Sequence, residues 1–304
     1  MHWEHAMRIL LLGKNGQVGW ELQRALAPLG NIIALDRHGH NGLIGDVADL
    51  EGLRATLRVI KPQVIVNAAA YTAVDSAEEE HDLATTLNAD APRVLSEEAK
   101  VLNAFLVHYS TDYVFDGSGN APWKEVDLPS PLNHYGASKL AGERYIQDSG
   151  CRHLIFRTSW VYAARGHNFL ATMSQLIRER DALQVVDDQF GAPTGAELIA
   201  DVTALAMPKA YRDPLREGLY HLAASRTTTW CGYATFIAEY LQEQGIATQA
   251  KAERIEAVPT SAWPTPAARP LNSRLDTSKL ERTFDLTMPH WQDGVARVLR
   301  ETHW

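Results

Sequence analysis

"MRILLLGKNGQVGW", residues 7 to 20, runs from an apolar stretch into glycines at Gly13, Gly16 and Gly19 and then into an amphipathic pattern. The apolar run predicts a buried strand, the glycines a tight turn, and the following positions a helix that begins at that turn. Glycine permits a close backbone approach, and the free amides and dipole of a helix start favour a pyrophosphate. Gly-x-x-Gly-x-x-Gly at such a junction therefore predicts a dinucleotide site. A second strand, "NIIALD", ends on Asp36, at about the distance expected for a carboxylate that grips the adenosine ribose hydroxyls. Arg37 beside it and Lys14 in the loop could equally meet a 2'-phosphate, so NADH and NADPH both stay open.

The same alternation continues outward. A helix near "DLEGLRATLRVI", the strand "QVIVNAAA", a long acidic helical stretch from about Asp75 to Asn103 and the strand "AFLVHYS" follow in turn. A loop rich in Gly and Pro then leads to a helix that carries Tyr135 and Lys139. Apolar strands alternating with helices predict an α/β fold, a Rossmann-type doubly wound parallel sheet. After "HLIFRTSWVY" the character changes, with a helix near residues 168 to 180, the loop "VVDDQFGAPTG" and the Pro- and Trp-rich "VPTSAWPTPAARP". The expected division is a dinucleotide-binding domain over 7–224, to which some later segments return, and a smaller C-terminal substrate-binding lobe over 225–304.

Bulk properties narrow the function. The 304 residues, 45% hydrophobic and 22% charged, suit an ordinary globular protein with a substantial core. A net charge of -8 without a basic cluster gives no footprint for nucleic acid, and no apolar stretch is long enough to predict a membrane span. Cys151 and Cys231 lie far apart without metal-ligand spacing, which fits a reducing, cytoplasmic setting. The first six residues, "MHWEHA", lack the basic and apolar regions of a signal peptide, so none is expected; His2 and His5 read as an upstream extension and are set aside.

Ligands in doubly wound sheets bind beyond the carboxyl ends of strands. "GDV" puts Asp46 where it could touch adenine, and "VNAAAYT" supplies Ala68, Ala69 and Ala70, beside which a cofactor can lie closely. A helix cap for Asp46 and plain packing for the alanines are the competing explanations. Tyr135 and Lys139, four apart, share a helix face, so the ammonium group can favour the phenolate and make the phenol a proton donor nearer neutral pH. Such a pair is common by chance, and its neighbours decide its meaning.

Those neighbours are the glycine spacing, "NAAAYTAVD", "HYSTDYVFDG", "NHYGASKLAGE", "FRTSWVY" and "QFGAPTGAE", in order from Met7 almost to the carboxyl end. Together they resemble the extended short-chain dehydrogenase/reductases and, among these, the dTDP-4-dehydrorhamnose reductase family. The resemblance implies that Tyr135 is the general acid, that Lys139 is its partner and holds the nicotinamide ribose, and that Thr111 is the hydroxyl residue of the triad. It implies deoxysugar contacts from Thr111, Asp112 and Trp160, and cofactor contacts from Gly16, Gln17, Val18, Asp36, Asp46, Val47 and Ala68 to Ala70. The implied substrate is a dTDP-4-dehydro-sugar whose C4 carbonyl is reduced with NADPH or NADH. A backbone cap at Thr111 and a core role for Trp160 are the competing explanations.

Thr111-Asp112-Tyr113 carries tyrosine where the related sugar-nucleotide dehydratases carry glutamate, which favours reduction over elimination. Arg269 and Arg274 resemble the segment near the nucleotide-sugar and suit a pyrophosphate, though surface ion pairs explain them equally well. Some members are metal-bearing dimers, and Glu197 and Glu301 fall at comparable places. Mg2+ and a homodimer are thus candidates, although two separated glutamates are not a metal motif. A nucleotide-sugar epimerase and a non-catalytic NAD(P)-binding regulatory subunit are the rival readings.

Overall fold

Ile9, Leu10, Leu11 and Leu12 of the first strand, β1 (Met7–Leu12), are all fully buried in the computed structural model, which describes residues 7–302. Ile9 and Leu11 enter one apolar core and Leu10 and Leu12 another, because alternate side chains of a strand leave opposite faces. A strand covered by helices on both sides needs this continuous apolar run. Each such side chain contributes roughly 2 kcal/mol by leaving water. His2 and His5 lie outside the described residues.

The chain continues through α1 (Gln17–Leu26), β2 (Gly30–Leu35), α2 (Leu50–Ile60) and β3 (Val64–Asn67). The short α3 (His81–Thr85), α4 (Ala91–Leu102), β4 (Phe105–Thr111), α5 (His134–Ser149) and β5 (Arg152–Thr158) follow. Next come β6 (Val161–Tyr162), α6 (Phe169–Glu179), β7 (Leu183–Val186), β8 (Phe190–Gly191), β9 (Thr194–Gly195), α7 (Ala196–Arg212) and β10 (Gly218–His221). The described chain closes with β11 (Thr228–Thr229), α8 (Trp230–Glu243), β12 (Ile255–Val258), α9 (Ser278–Phe284) and α10 (Trp291–Glu301). Six strands form one parallel sheet in the order β10-β5-β4-β3-β1-β2. β1 has β2 on one side and β3 on the other, so the winding reverses there and a crevice opens beyond their carboxyl ends.

The long helix expected from about Asp75 to Asn103 is interrupted. A 3-10 turn at Ser76–Glu78, α3 and a π-helical turn at Thr86–Asp90 precede α4. Asn88, buried in the π turn, accounts for the break: its Oδ1 accepts from the Tyr71 amide at 2.9 Å, and its Nδ2 donates to the Tyr71 carbonyl at 3.0 Å and to Ser138 Oγ at 3.1 Å. Those bonds tie the segment to the loop after β3 and to α5, and the wider turn accommodates them.

A separate core gathers α6, β7, α8, β12 and α10, with Leu170, Ile177, Val185, Tyr233, Ile237 and Val295 buried in it. α6 and β7 precede residue 225, whereas α9 follows it and buries Leu280 and Phe284 in the core shared by the sheet and α7. The chain therefore crosses between sheet and lobe more than once: α9 returns to the sheet in the way expected of some later segments, whereas α6 and β7 place part of the separate core before residue 225. Among the described residues no helix is long and apolar enough to cross a membrane.

Gly19 shows how tightly α1 meets its turn, since a Cβ there would lie 2.0 Å from the Gly13 carbonyl oxygen. Gly19→Ala is expected to push α1 off the turn and to lower stability by about 2 kcal/mol, read from the urea midpoint. An unchanged midpoint would show that helix and turn are not pressed together.

Candidate active site

The crevice at the switch point has a volume of about 1150 Å³. That exceeds the roughly 300–1,000 Å³ of a single small-molecule site and leaves room for two ligands side by side. At one end Gly13 adopts φ +82°, and a Cβ on it would lie 2.7 Å from the Ala69 amide nitrogen. No side chain caps α1 at Gly16, which leaves the first-turn N–H groups to an incoming anion. This is a cradle that fits a dinucleotide pyrophosphate.

Asp36 stands at the end of β2. Its Oδ1 accepts from the His38 amide at 2.9 Å, its Oδ2 accepts from Asn15 Nδ2 at 2.8 Å, and Lys14 Nζ lies 3.5 Å away. The backbone bond above all, with Lys14 and Asn15, holds this carboxyl below its ordinary range. Gln17, Val18, Arg37, Asp46, Val47, Ala68, Ala69 and Ala70 line the same cleft. Asp49, and not Asp46, caps α2, accepting from the Gly52 amide at 2.9 Å. Gly19 is the exception among the expected cofactor residues, because it is spent on packing α1 against the turn and does not line the cleft.

The other end of the cleft is built by β4 and α5. Thr111, the last residue of β4, accepts at Oγ1 from the Tyr113 amide and donates to Asp112 Oδ1, both at 3.2 Å. Asn133 caps α5 by accepting from the Gly136 amide at 2.8 Å. Gly136 sits so close to the loop after β4 that a Cβ would lie 2.2 Å from the Tyr113 carbonyl oxygen. Glycine alone permits that approach, and it brings Tyr135 to the end of the strand. Thr111, Asp112, Tyr135, Lys139 and Trp160 all line the cleft.

Electrostatics at this end differ from the expectation. Burial pushes the Tyr135 phenol up to about 12, against a hydrogen bond with Thr111 that favours the phenolate and the nearby Asp112 that opposes it. Lys139 does not bring the phenol toward neutrality, because its Nζ turns to the sheet, donating to the Tyr109 carbonyl at 2.6 Å and standing 3.4 Å from His108 Nε2. Burial pulls Lys139 itself down to about 8, with Glu143 opposing the shift. Asp112 is buried with Oδ2 unpartnered, and burial raises its carboxyl to about 7.

Trp160 holds φ +49° and stacks on Trp230 with ring centroids 3.6 Å apart. Gly191 packs so closely that a Cβ would lie 2.6 Å from the indole. Trp230, Gly166 and His167 line the cleft although sequence reasoning passed over them, as do Ser110, Thr158 and Ser159 at strand ends. The start of α8 was readable at Thr229, whose side chain accepts from the Gly232 amide at 3.0 Å, but not the direction in which Trp230 points. Arg269 and Arg274 do not line the cleft. Arg269 donates to Asp75 Oδ2 at 2.7 Å, and the Arg274 guanidinium lies 4.3 Å over the Phe190 ring. Glu197 and Glu301 both face Arg297, at 3.5 and 3.0 Å, so a cation already stands between them. Among the described residues no group of three or more His, Cys, Asp or Glu is arranged to hold a metal ion, so the expectation of Mg2+ finds no support here.

Comparison with known proteins agrees with this geometry. Residues 7–303 match the family model described as RmlD substrate binding domain. The chain is 56% identical to the dTDP-4-dehydrorhamnose reductase of Salmonella typhimurium and 54% identical to that of Escherichia coli K12, in each case over 97% of this chain and 98% of the relative. Among solved structures, the dTDP-4-dehydrorhamnose reductase of Bacillus anthracis in complex with NADP superposes with a TM-score of 0.86 at 33% identity, covering 98% of this chain and 100% of that one. A parallel sheet with its dinucleotide cradle, the Thr-Tyr-Lys end of the cleft and identities of this order over nearly the whole length have one explanation: the chain belongs to the dTDP-4-dehydrorhamnose reductase family.

Proposed function

We propose that the protein reduces the C4 carbonyl of dTDP-4-dehydro-L-rhamnose (dTDP-6-deoxy-L-lyxo-4-hexulose) with NADPH or NADH, giving dTDP-L-rhamnose in the last step of its biosynthesis. The observation that carries this reading is the meeting of Thr111, Tyr135 and Lys139 at one end of a cleft whose other end is a dinucleotide cradle. The substrate comes from the family, whose Salmonella and Escherichia members are dTDP-4-dehydrorhamnose reductases. When bound, the reduced nicotinamide supplies the hydride that converts the carbonyl to an alcohol.

Tyr135 is the acid. A phenol held at about 12 is protonated throughout the physiological range, and a carbonyl oxygen gaining negative charge is a strong enough base to take its proton. Thr111 lies close enough to the phenol to steady the charge left there once its hydroxyl proton turns from Asp112, and the Lys139 ammonium group one helical turn on adds a favourable field. Asp112, buried and about half protonated near pH 7, presents a polar carboxyl to the sugar hydroxyls. Tyr113 stands where a dehydratase would carry its glutamate. Burial raises its phenol, so it offers no base for elimination.

Asp36 suits ribose hydroxyls while Lys14 and Arg37 suit a 2'-phosphate, which supports use of both cofactors. A cytoplasmic setting and a homodimer belong to the same reading, the first in keeping with the buried, unpaired Cys151 and Cys231.

Tyr135→Phe is expected to lower kcat about 1,000-fold in an assay of nicotinamide oxidation, with cofactor affinity by fluorescence titration changed less than about twofold. Unchanged reduction would remove Tyr135 from the role of acid. Asp36→Ala is expected to raise KM for NADH about tenfold and KM for NADPH less, and equal effects would place the ribose elsewhere. Asp112 gives a pH-dependent signature. The folded protein holds a proton on it up to about pH 7, whereas the unfolded chain releases that proton near the ordinary value. Its contribution to stability is complete below about pH 4 and is lost as the pH rises toward 7. Asp112→Asn should therefore gain in Tm relative to the unaltered protein between about pH 5 and pH 8, by on the order of 5 °C; a difference constant with pH would show the carboxyl ionised throughout.

A further inference from the structure

Behind the wall of the site lies a buried titratable side chain that takes no part in the reduction outlined above. His108 lies buried in β4, on the same face as Leu106, where a largely apolar layer also holds a few polar side chains. An imidazole there is costly unless its ring nitrogens are matched. Its Nε2 stands 3.4 Å from Lys139 Nζ, and its Nδ1 stands 3.2 Å from Asn67 Nδ2. In this structure the Asn67 amide is turned so that its Oδ1 accepts from the Ala69 amide at 3.2 Å. Asn67 therefore offers Nδ1 a proton, which leaves the ring's own proton on Nε2.

An Nε2–H aimed at an ammonium group is a donor facing a donor. The contact is matched only when Lys139 is neutral and its lone pair accepts, while Nζ still donates to the Tyr109 carbonyl at 2.6 Å. A charged Lys139 calls for the opposite tautomer, with Nδ1–H toward Asn67 and an amide turned away from Ala69. We propose that His108 is a positioning residue for Lys139, and that the line Ala69–Asn67–His108–Lys139 couples the lysine's proton to the wall of the cofactor cleft through the histidine's tautomer.

The ring does this without becoming charged, since burial first and the lysine's charge second hold His108 well below its ordinary range. Few ionisable groups surround the pair. Glu143 lies one turn further along α5 and accepts from Arg157 of β5 at 2.6 and 2.9 Å; Tyr135 lies one turn back, with Asp112 beside it. The Thr86–Asp90 turn contributes the uncharged Asn88 through Ser138. The tautomer thus follows Lys139, and a ligand pressing on Ala69 alters which charge state of the lysine is favoured.

The inference rests on the assignment of Lys139 to the reaction, but its test does not. Protein labelled with 15N-histidine, free of substrate and cofactor, is examined by long-range 1H–15N correlation spectra, which report which ring nitrogen is protonated. Between about pH 6 and pH 10, His108 is expected to stay neutral and to pass from Nδ1–H to Nε2–H as Lys139 loses its proton. Lys139→Met is expected to hold it at Nε2–H throughout. A single tautomer at every pH, or a transition indifferent to Lys139→Met, would overturn the proposal and leave the roles of Tyr135 and Lys139 in reduction standing. In the kinetic counterpart, His108→Gln offers Nζ a carbonyl acceptor and should move the basic limb of kcat/KM upward by about one pH unit. A loss of kcat with the limb unmoved would mark a merely structural role and overturn the coupling.

Discussion

Lys139, only 2% exposed, carries an ammonium group into the layer between α5 and the sheet, where an isolated ion would cost several kcal/mol. That cost is offset by the Tyr109 carbonyl, which accepts at 2.6 Å from the end of β4, and by Glu143 on the next turn of the helix. Glu143 is itself clamped by Nη2 and Nε of Arg157 on β5, which donate to it at 2.6 and 2.9 Å. α5 is therefore fastened to two neighbouring strands at polar points within an apolar layer. Gly142 lets it come closer still, since a Cβ there would lie 2.1 Å from the Asn88 carbonyl oxygen. The position of Tyr135, one turn before the lysine, follows from these fastenings.

The price of that burial appears in the chemistry. A phenol in an apolar wall gives up its proton reluctantly, and a lysine held by the sheet below does not lower it at rest. With Tyr135 as the acid proposed above, proton donation would depend on charge that develops during reduction, which is when stabilising a phenolate serves the reaction. The Trp160 end of the cleft is packed as closely. Trp160 is kept in a left-handed backbone conformation between Trp230 and Gly191, a strained arrangement of the kind that packing sustains at ligand sites.

Most of the fold was legible in the sequence, because strands buried on both faces and the glycine turn leave local signatures. Asp49 and Asn168, which cap α2 and α6 by accepting from Gly52 and Ala171, mark helix starts near the positions expected. The meeting of Thr111, Tyr135 and Lys139 in one cleft was legible through their spacing together with the resemblance. What escaped depends on contacts distant in sequence. The π turn at Thr86–Asp90 is set by Asn88 reaching Tyr71 and Ser138, and the entry of α6 and β7 into the separate core is set by their packing against α8 and α10. The orientation of Lys139 was misread for the same reason. Four-residue spacing places the lysine and Tyr135 on one face, but the choice between phenol and Tyr109 carbonyl as partner is made by β4, some 30 residues away in sequence.

Direct hydride delivery to the C4 carbonyl separates simple reduction from epimerase chemistry, in which the cofactor is regenerated in each turnover. With NADPH or NADH deuterated at C4 of the nicotinamide, and dTDP-6-deoxy-L-lyxo-4-hexulose generated in place, the product can be read by NMR. One deuterium at C4 of the sugar, with one cofactor oxidised for each product formed, is the predicted result. A product without deuterium at that carbon, or turnover without net cofactor oxidation, would contradict it.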